Sequence, residues 1–139
     1  MRFTDGTGHV ALLVEIEEAG RRLGIATTHF RWGTEFAGQA VELLDAVDGD
    51  WIVCGDFNAD PASSVCLEFR RRGFVDAFES CGGATCNSNR VAKRIDFLFH
   101  SPSLRATPSA LRPITGVTPL PSAEEPSDHL PLVASFQWL

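Results

Sequence analysis

Trp51-Ile52-Val53-Cys54 is a short, continuously apolar run that stops at Gly55. A strand that is apolar at every position has no side to give to water, so it suits the centre of a sheet covered on both faces. That requirement points to a layered α/β arrangement. The residues that follow, Asp56-Phe57-Asn58, then stand at the strand's C-terminal edge, where polar side chains can leave the core.

The rest of the chain supplies layers. Val10 to Ile16 alternates and is β-branched, Leu23 to Thr28 is a second β-prone run, and Glu17-Glu18-Ala19-Gly20 between them predicts a hairpin turn. Between Thr34 and Val47, Phe36, Ala40, Leu43, Leu44 and Val47 recur at helical spacing. A second helix is predicted over Val65 to Arg72, closed by Gly73, with Arg70-Arg71-Arg72 at the negative end of its dipole. Cys81 to Lys93 is polar and Gly/Asn-rich and reads as a loop, and Ile95 to Phe99 as a strand. Pro102, Pro108, Pro113, Pro119, Pro121 and Pro126 exclude long helices from the next segment and imply edge strands and surface connections. Leu130 to Trp138 closes the chain as a last strand. The expectation is one domain over 1–139, with two helices among about six strands.

A net charge of −6 argues against a broad basic face for nucleic acid, which would have to neutralise many phosphates. It leaves room for a phosphate substrate if divalent metal masks the carboxylates. Nothing approaches the roughly 18 to 20 apolar residues of a membrane span, and Met1 to Asp5 leads into no apolar signal region, so no membrane partner is expected. Cys54, Cys66, Cys81 and Cys86 lack the paired spacing of a zinc site and read as free thiols. With no signal segment, they suit a cytoplasmic or nuclear location.

Polar groups concentrate at predicted strand ends. Asp56 and Asn58, two apart on an extended stretch, would project to one side and share a metal or phosphate; an Asx turn ending the strand is the alternative. Asp96 stands between Ile95 and Phe97, where an ionised carboxylate needs a partner unless its strand lies at an edge. His129 cannot pair with its neighbour Asp128 along a strand, and Asp96 is the best candidate to hold its tautomer. A satisfied loop histidine is the alternative for His129, and a backbone-bonded one for His29.

Thr28-His29, then Gly55-Asp56-Phe57-Asn58-Ala59-Asp60-Pro61, then Arg94-Ile95-Asp96-Phe97, then Ser127-Asp128-His129-Leu130-Pro131-Leu132 resemble, in order, the last four motifs of the endonuclease/exonuclease/phosphatase family. The resemblance runs from about Gly8 to the C-terminus and is most similar to the family's deadenylase branch. It implies the C-terminal half of a four-layer α/β sandwich and a metal-dependent phosphodiester hydrolase, a 3′ exoribonuclease or deadenylase-like nuclease acting on RNA or a nucleotide phosphodiester. Mg2+ is the implied cofactor, with Mn2+ as an alternative. By position, Asp56, Asn58 and Asp128 would bind metal, Asp56 and Asn58 would also orient the attacking water, and His129 would act at the scissile phosphate, steered by Asp96. His29 would stabilise charge on the phosphoryl oxygens, joined in phosphate binding by Asn58 and Arg31.

Family members carry an Asn and a metal-binding Glu ahead of the Thr-His motif, and neither Asp5, Glu15 nor Glu17 matches them. The chain is therefore expected to be a partial domain with weakened metal binding, which pairs with a missing N-terminal half or self-associates through an exposed sheet face. From Gly82 to Lys93, where the deadenylase branch usually shows an aromatic residue, Thr85-Cys86-Asn87 offers none. The alternatives to a nuclease are an inositol-phosphate or lipid phosphodiesterase of the same family, or a catalytically incomplete interaction module.

Overall fold

The computed structural model describes residues 1–18, 20–33 and 37–139. β1 (Ala11–Glu18) and β2 (Arg21–His29) form the predicted hairpin, in register from Ala11 opposite Thr28 to Glu18 opposite Arg21. β1 runs two residues beyond the predicted end because Glu17 and Glu18 fall opposite Arg22 and Arg21, a favourable cross-strand charge pattern. Of the predicted turn, Ala19 lies outside the described residues and Gly20 has a φ of 73°.

Helix α1 (Ala37–Asp45) carries the chain from β2 to β3 (Trp51–Asp56), which lies parallel to β2. Its predicted start at Thr34 to Phe36 is outside the described residues, while Ala40, Leu43 and Leu44 are buried as their spacing requires. Helix α2 (Ser64–Arg71) is capped by Ser63, whose side chain accepts from the Cys66 amide, and the chain leaves it at Gly73, φ 84°. The basic tip is bound within the chain: Arg71 and Arg72 pair with Glu68, Arg72 with Asp45, and Arg70 with Asp76 and Glu79.

β4 (Val75–Asp76) and β7 (Asp96–His100) complete a five-stranded mixed sheet in the order β1-β2-β3-β7-β4. One face packs under the helices around Phe57, Phe69, Phe97 and Phe99, with ring centroids of 5.3 Å for Phe57–Phe97 and 4.7 Å for Phe69–Phe99. On the other face, Ile52, Cys54 and Leu98 lie against Ala106, Ala134 and Phe136 of an antiparallel ribbon, β8 (Leu104–Pro108) with β9 (Ala134–Trp138). The ribbon covers β3 and β7. On β1 the residues of that same face remain open, Leu12 being 62% exposed and Val14 44%.

Three expectations are corrected. The stretch read as a loop contains a hairpin, β5 (Cys86–Ser88) with β6 (Val91–Lys93), reversed at Asn89 (φ 52°) and Arg90 (φ 62°). Two successive left-handed residues make the tight turn whose twist suits paired strands, here without the Gly that normally betrays it. The last strand begins at Ala134, not Leu130: the Leu130 amide donates to the Thr85 carbonyl, and Pro131 has no amide to add to a ladder. With these pieces and β4, nine strands stand among the described residues where about six were expected.

Candidate active site

Parallel pairing of β2 and β3 brings their C-terminal ends to one edge of the sheet, and antiparallel β7 starts at that edge. His29 and Asp56 are the last paired residues of β2 and β3, and Asp56 faces Asp96 across the β3–β7 ladder. Phe57, fully buried among the core phenylalanines, pins the chain immediately after Asp56. The fourth motif enters from the β5 side, where His129 bridges Cys86 and the Asn87 amide donates to the Asp128 carbonyl.

Asp56 and Asn58 do not lie on an extended stretch. Asn58 has a φ of 49°, and its amide donates to Asp56 Oδ1 at 2.8 Å, an Asx turn. Asn58 Nδ2 donates to the Phe30 carbonyl at 2.9 Å and lies 2.9 Å from His29 Nε2. A carbonyl oxygen can only accept, which identifies that end of the Asn58 amide as its nitrogen and turns it toward the His29 ring. Asp56 Oδ2 is 3.5 Å from His29 Nε2 and 4.0 Å from His129 Nε2, so this carboxylate lies between two imidazoles.

His129 Nδ1 lies 3.0 Å from each oxygen of Asp96. With a proton on Nδ1, the ring presents Nε2 toward Asp56. Burial pushes the Asp96 carboxyl above its ordinary 3.8, against hydrogen bonding from Thr85 and the charge of His129, and Asp56 adds to the rise. Burial alone would pull His129 down, but Asp96, by charge and hydrogen bond, and then Asp56 and Asp128 outweigh it, so the ring sits above 6.5. A raised folded-state value means that the stability from protonated His129 is complete below about pH 6.5 and is lost as pH climbs through the raised value. Asp96→Asn removes two of the raising influences, so the His129 titration, followed by NMR of the ring carbons, is expected to move downward. An unchanged midpoint would show that Asp96 does not govern this ring.

Asp56, Asp96 and His129 place one ligand atom each within 4.8 Å of one another, a group able to hold a metal ion. Asp128 is outside that group; its carboxylate acts on His129 through charge. Arg31 is exposed in the segment leaving β2, its backbone amide donating to Gln39 Oε1 at 3.0 Å. Two supporting residues had gone unnoticed in the sequence. Gln39, 1% exposed, also donates to Asp5 at 2.6 Å and so ties the N-terminal segment, α1 and the segment after His29 together. Its signal was a glutamine one helical turn before Leu43, on the stripe that should be apolar. Thr85 Oγ1 accepts the amides of Ile95 and Asp96, each at 3.1 Å, which holds the start of β7; nothing in its local sequence marks that long-range contact.

Human Nocturnin is 29% identical over 157 residues, covering 93% of this chain and 36% of its own length, and Xenopus laevis Nocturnin is 29% identical over 162 residues, covering 95% and 42%. The chain thus spans well under half of these curated relatives. The human Nocturnin catalytic domain with bound sulfate superimposes with a TM-score of 0.75 at 28% identity, over 96% of this chain and 54% of that one. ANGEL2, a 2′,3′-cyclic phosphatase in complex with adenosine-2′,3′-vanadate, shares the fold at a TM-score of 0.73 and 17% identity, over 93% and 61%. Enzymes of this fold family are generally dependent on a divalent metal. The sequence profile of the Endonuclease/Exonuclease/phosphatase family matches residues 4–129, nearly the whole chain, and the chain belongs to that family.

Proposed function

We propose that this chain carries the hydrolytic centre of a divalent-metal-dependent phosphodiesterase acting on RNA 3′ ends or related nucleotides. The observation that carries this reading is the position of Asp56 between His29 and His129 while Asp96 holds the far side of the His129 ring. Among the described residues, only histidines, and no Lys or Arg, come within ion-pair distance of Asp56 and Asp96. Carboxylates that no Lys or Arg neutralises suit Mg2+ or Mn2+, which Asp56 and Asn58 would hold through hard oxygen donors, with Asp128 reaching in from outside the Asp56–Asp96–His129 group. The cation would polarise the phosphate and lower the pKa of water. Asp56 would also orient the attacking water beside Asn58, and His129, fixed by Asp96, would act at the scissile phosphate. His29, Asn58 and Arg31 would meet the phosphoryl oxygens. The nucleotide assignment is supported by similarity to Nocturnin and by the adenosine-2′,3′-vanadate held by ANGEL2.

The test is hydrolysis of bis(p-nitrophenyl) phosphate and of a short 3′-adenylated RNA by the 139-residue chain. Turnover that requires Mg2+ and disappears with chelator is expected; turnover indifferent to chelator would sink the reading.

The open outer face of β1 favours a second reading, in which the chain is a partial domain and this face is covered in the working protein. Leu12, Val14 and Ile16 form an alternating apolar row beyond the edge of the β8–β9 ribbon. The occupant would be the polypeptide that makes up the remaining length of such relatives or, for this chain alone, a second copy. On that reading the chain sediments as a dimer or larger species at high micromolar concentration, and Val14→Lys returns it to a monomer. A wild-type chain that stays monomeric there would remove the case for self-association.

A further inference from the structure

Three residues after His29, Trp32 is 62% exposed. Lys93, the last residue of β6, places Nζ 4.4 Å from the centroid of the Trp32 ring. Both line a pocket of about 280 Å³ that also takes in Asn58, Asp60 and Ile95. The pocket therefore opens beside the hydrolytic centre, because Asn58, one of its lining residues, also contacts His29 through its side-chain amide. Its size is at the lower end of small-ligand sites, roughly 300 Å³, enough for one ring system rather than an extended chain.

The lining chemistry is specific. An indole left in water beside a reactive centre keeps a flat apolar surface available, and stacking on such a surface accepts any planar base. Lys93 makes no ion pair among the described residues; its ammonium rests over the Trp32 ring, a contact that leaves its charge unneutralised and able to meet an anion. Asp60 adds an acceptor suited to ribose hydroxyls or a base amino group. A ring, an anion and hydrogen-bond donors in one small ligand describe a nucleoside phosphate.

We infer that Trp32 and Lys93 form a nucleoside-phosphate subsite beside the hydrolytic centre, where a nucleobase stacks on the open surface of Trp32 and Lys93 pairs with the adjoining phosphate. This deepens the proposed function and rests on it for the position of the scissile bond. The subsite makes the group next to that bond a nucleotide rather than a sugar phosphate or a lipid headgroup.

Calorimetry with the 139-residue chain in Mg2+ buffer, comparing 5′-AMP with ribose 5-phosphate, tests it. The wild type is expected to bind AMP roughly tenfold more tightly than the sugar phosphate, the discrimination typical of one base–aromatic stack. Trp32→Ala should lose that preference, Trp32→Phe should keep most of it, and Lys93→Met should weaken both ligands by a similar factor. Equal affinity for the two, undetectable binding of both included, or a preference that survives Trp32→Ala, overturns the subsite. The two readings separate cleanly. Chelator-sensitive hydrolysis without base preference leaves the hydrolytic centre and removes the subsite, whereas a Trp32-dependent preference with no such hydrolysis does the reverse.

Discussion

Asp56→Ala is expected to reduce Mg2+-dependent hydrolysis of bis(p-nitrophenyl) phosphate by roughly a thousandfold or more while leaving the fold in place. Asp96 is committed to His129 through both oxygens, whereas Asp56 faces two imidazoles with a carboxylate that no Lys or Arg among the described residues neutralises. Without it, the site loses the oxygen donor between its histidines. The stability change is the balance of two small effects. The hydrogen bond from the Asn58 amide is lost, worth about 0.5–1.5 kcal/mol. Against that, Asp56 and Asp96 are opposite one another on β3 and β7, and Asp56 helps push the Asp96 carboxyl up, so its removal relieves repulsion. A urea midpoint near wild type beside lost turnover is the expected pair of results. Full turnover in a destabilised variant would take Asp56 out of the chemistry and make it a structural residue.

Sequence reasoning reached the parts of this molecule that depend on local pattern. The uninterrupted apolar run at Trp51 to Cys54 is β3, at the centre of the sheet, with helices on one face and the ribbon on the other. The β1–β2 hairpin and both helices follow from period and from turn or cap residues in the same way. The β5–β6 hairpin escaped because its strands are three residues each, too short to show a period, and its Asn-Arg turn adopts left-handed angles with no Gly to advertise them. An exposed sheet face was expected, but its place on β1 could not be read, since Leu12, Val14 and Ile16 alternate as any half-buried strand does and only packing reveals which neighbour is there. In the site, the strand-end positions of His29 and Asp56 follow from local pattern. The approach of His129 to Asp96, 33 residues away in sequence, does not follow from periodicity; it was legible because a carboxylate between Ile95 and Phe97 and a histidine that cannot pair with Asp128 each needed a partner.

Gly55→Ala should be among the most damaging single substitutions in the chain, and should damage the site together with the fold. Gly55 has a φ of +141°, and a Cβ there would lie 1.8 Å from the Thr28 carbonyl oxygen, its partner across the parallel β2–β3 ladder. Backbone cannot rotate aside as a side chain can, so the two strands must part or the residue must change conformation. The strain falls one residue before His29 and Asp56, where the ladder closes with the Phe30 amide donating to the Asp56 carbonyl at 2.9 Å. A loss of about 3 kcal/mol or more is expected, and any protein that still folds should have lost the 3.5 Å approach of His29 to Asp56 and with it most of its turnover. Gly24→Ala is the matching control at the opposite end of the same ladder. There the added methyl meets the Trp51 ring at 2.1 Å, a side chain that can shift at some expense in packing. Urea denaturation and phosphodiesterase assays on the pair should therefore show stability falling in both variants and turnover per folded molecule falling only in Gly55→Ala. Equal turnover in the two would mean that the spacing of β2 and β3 at this edge does not set the geometry of the site.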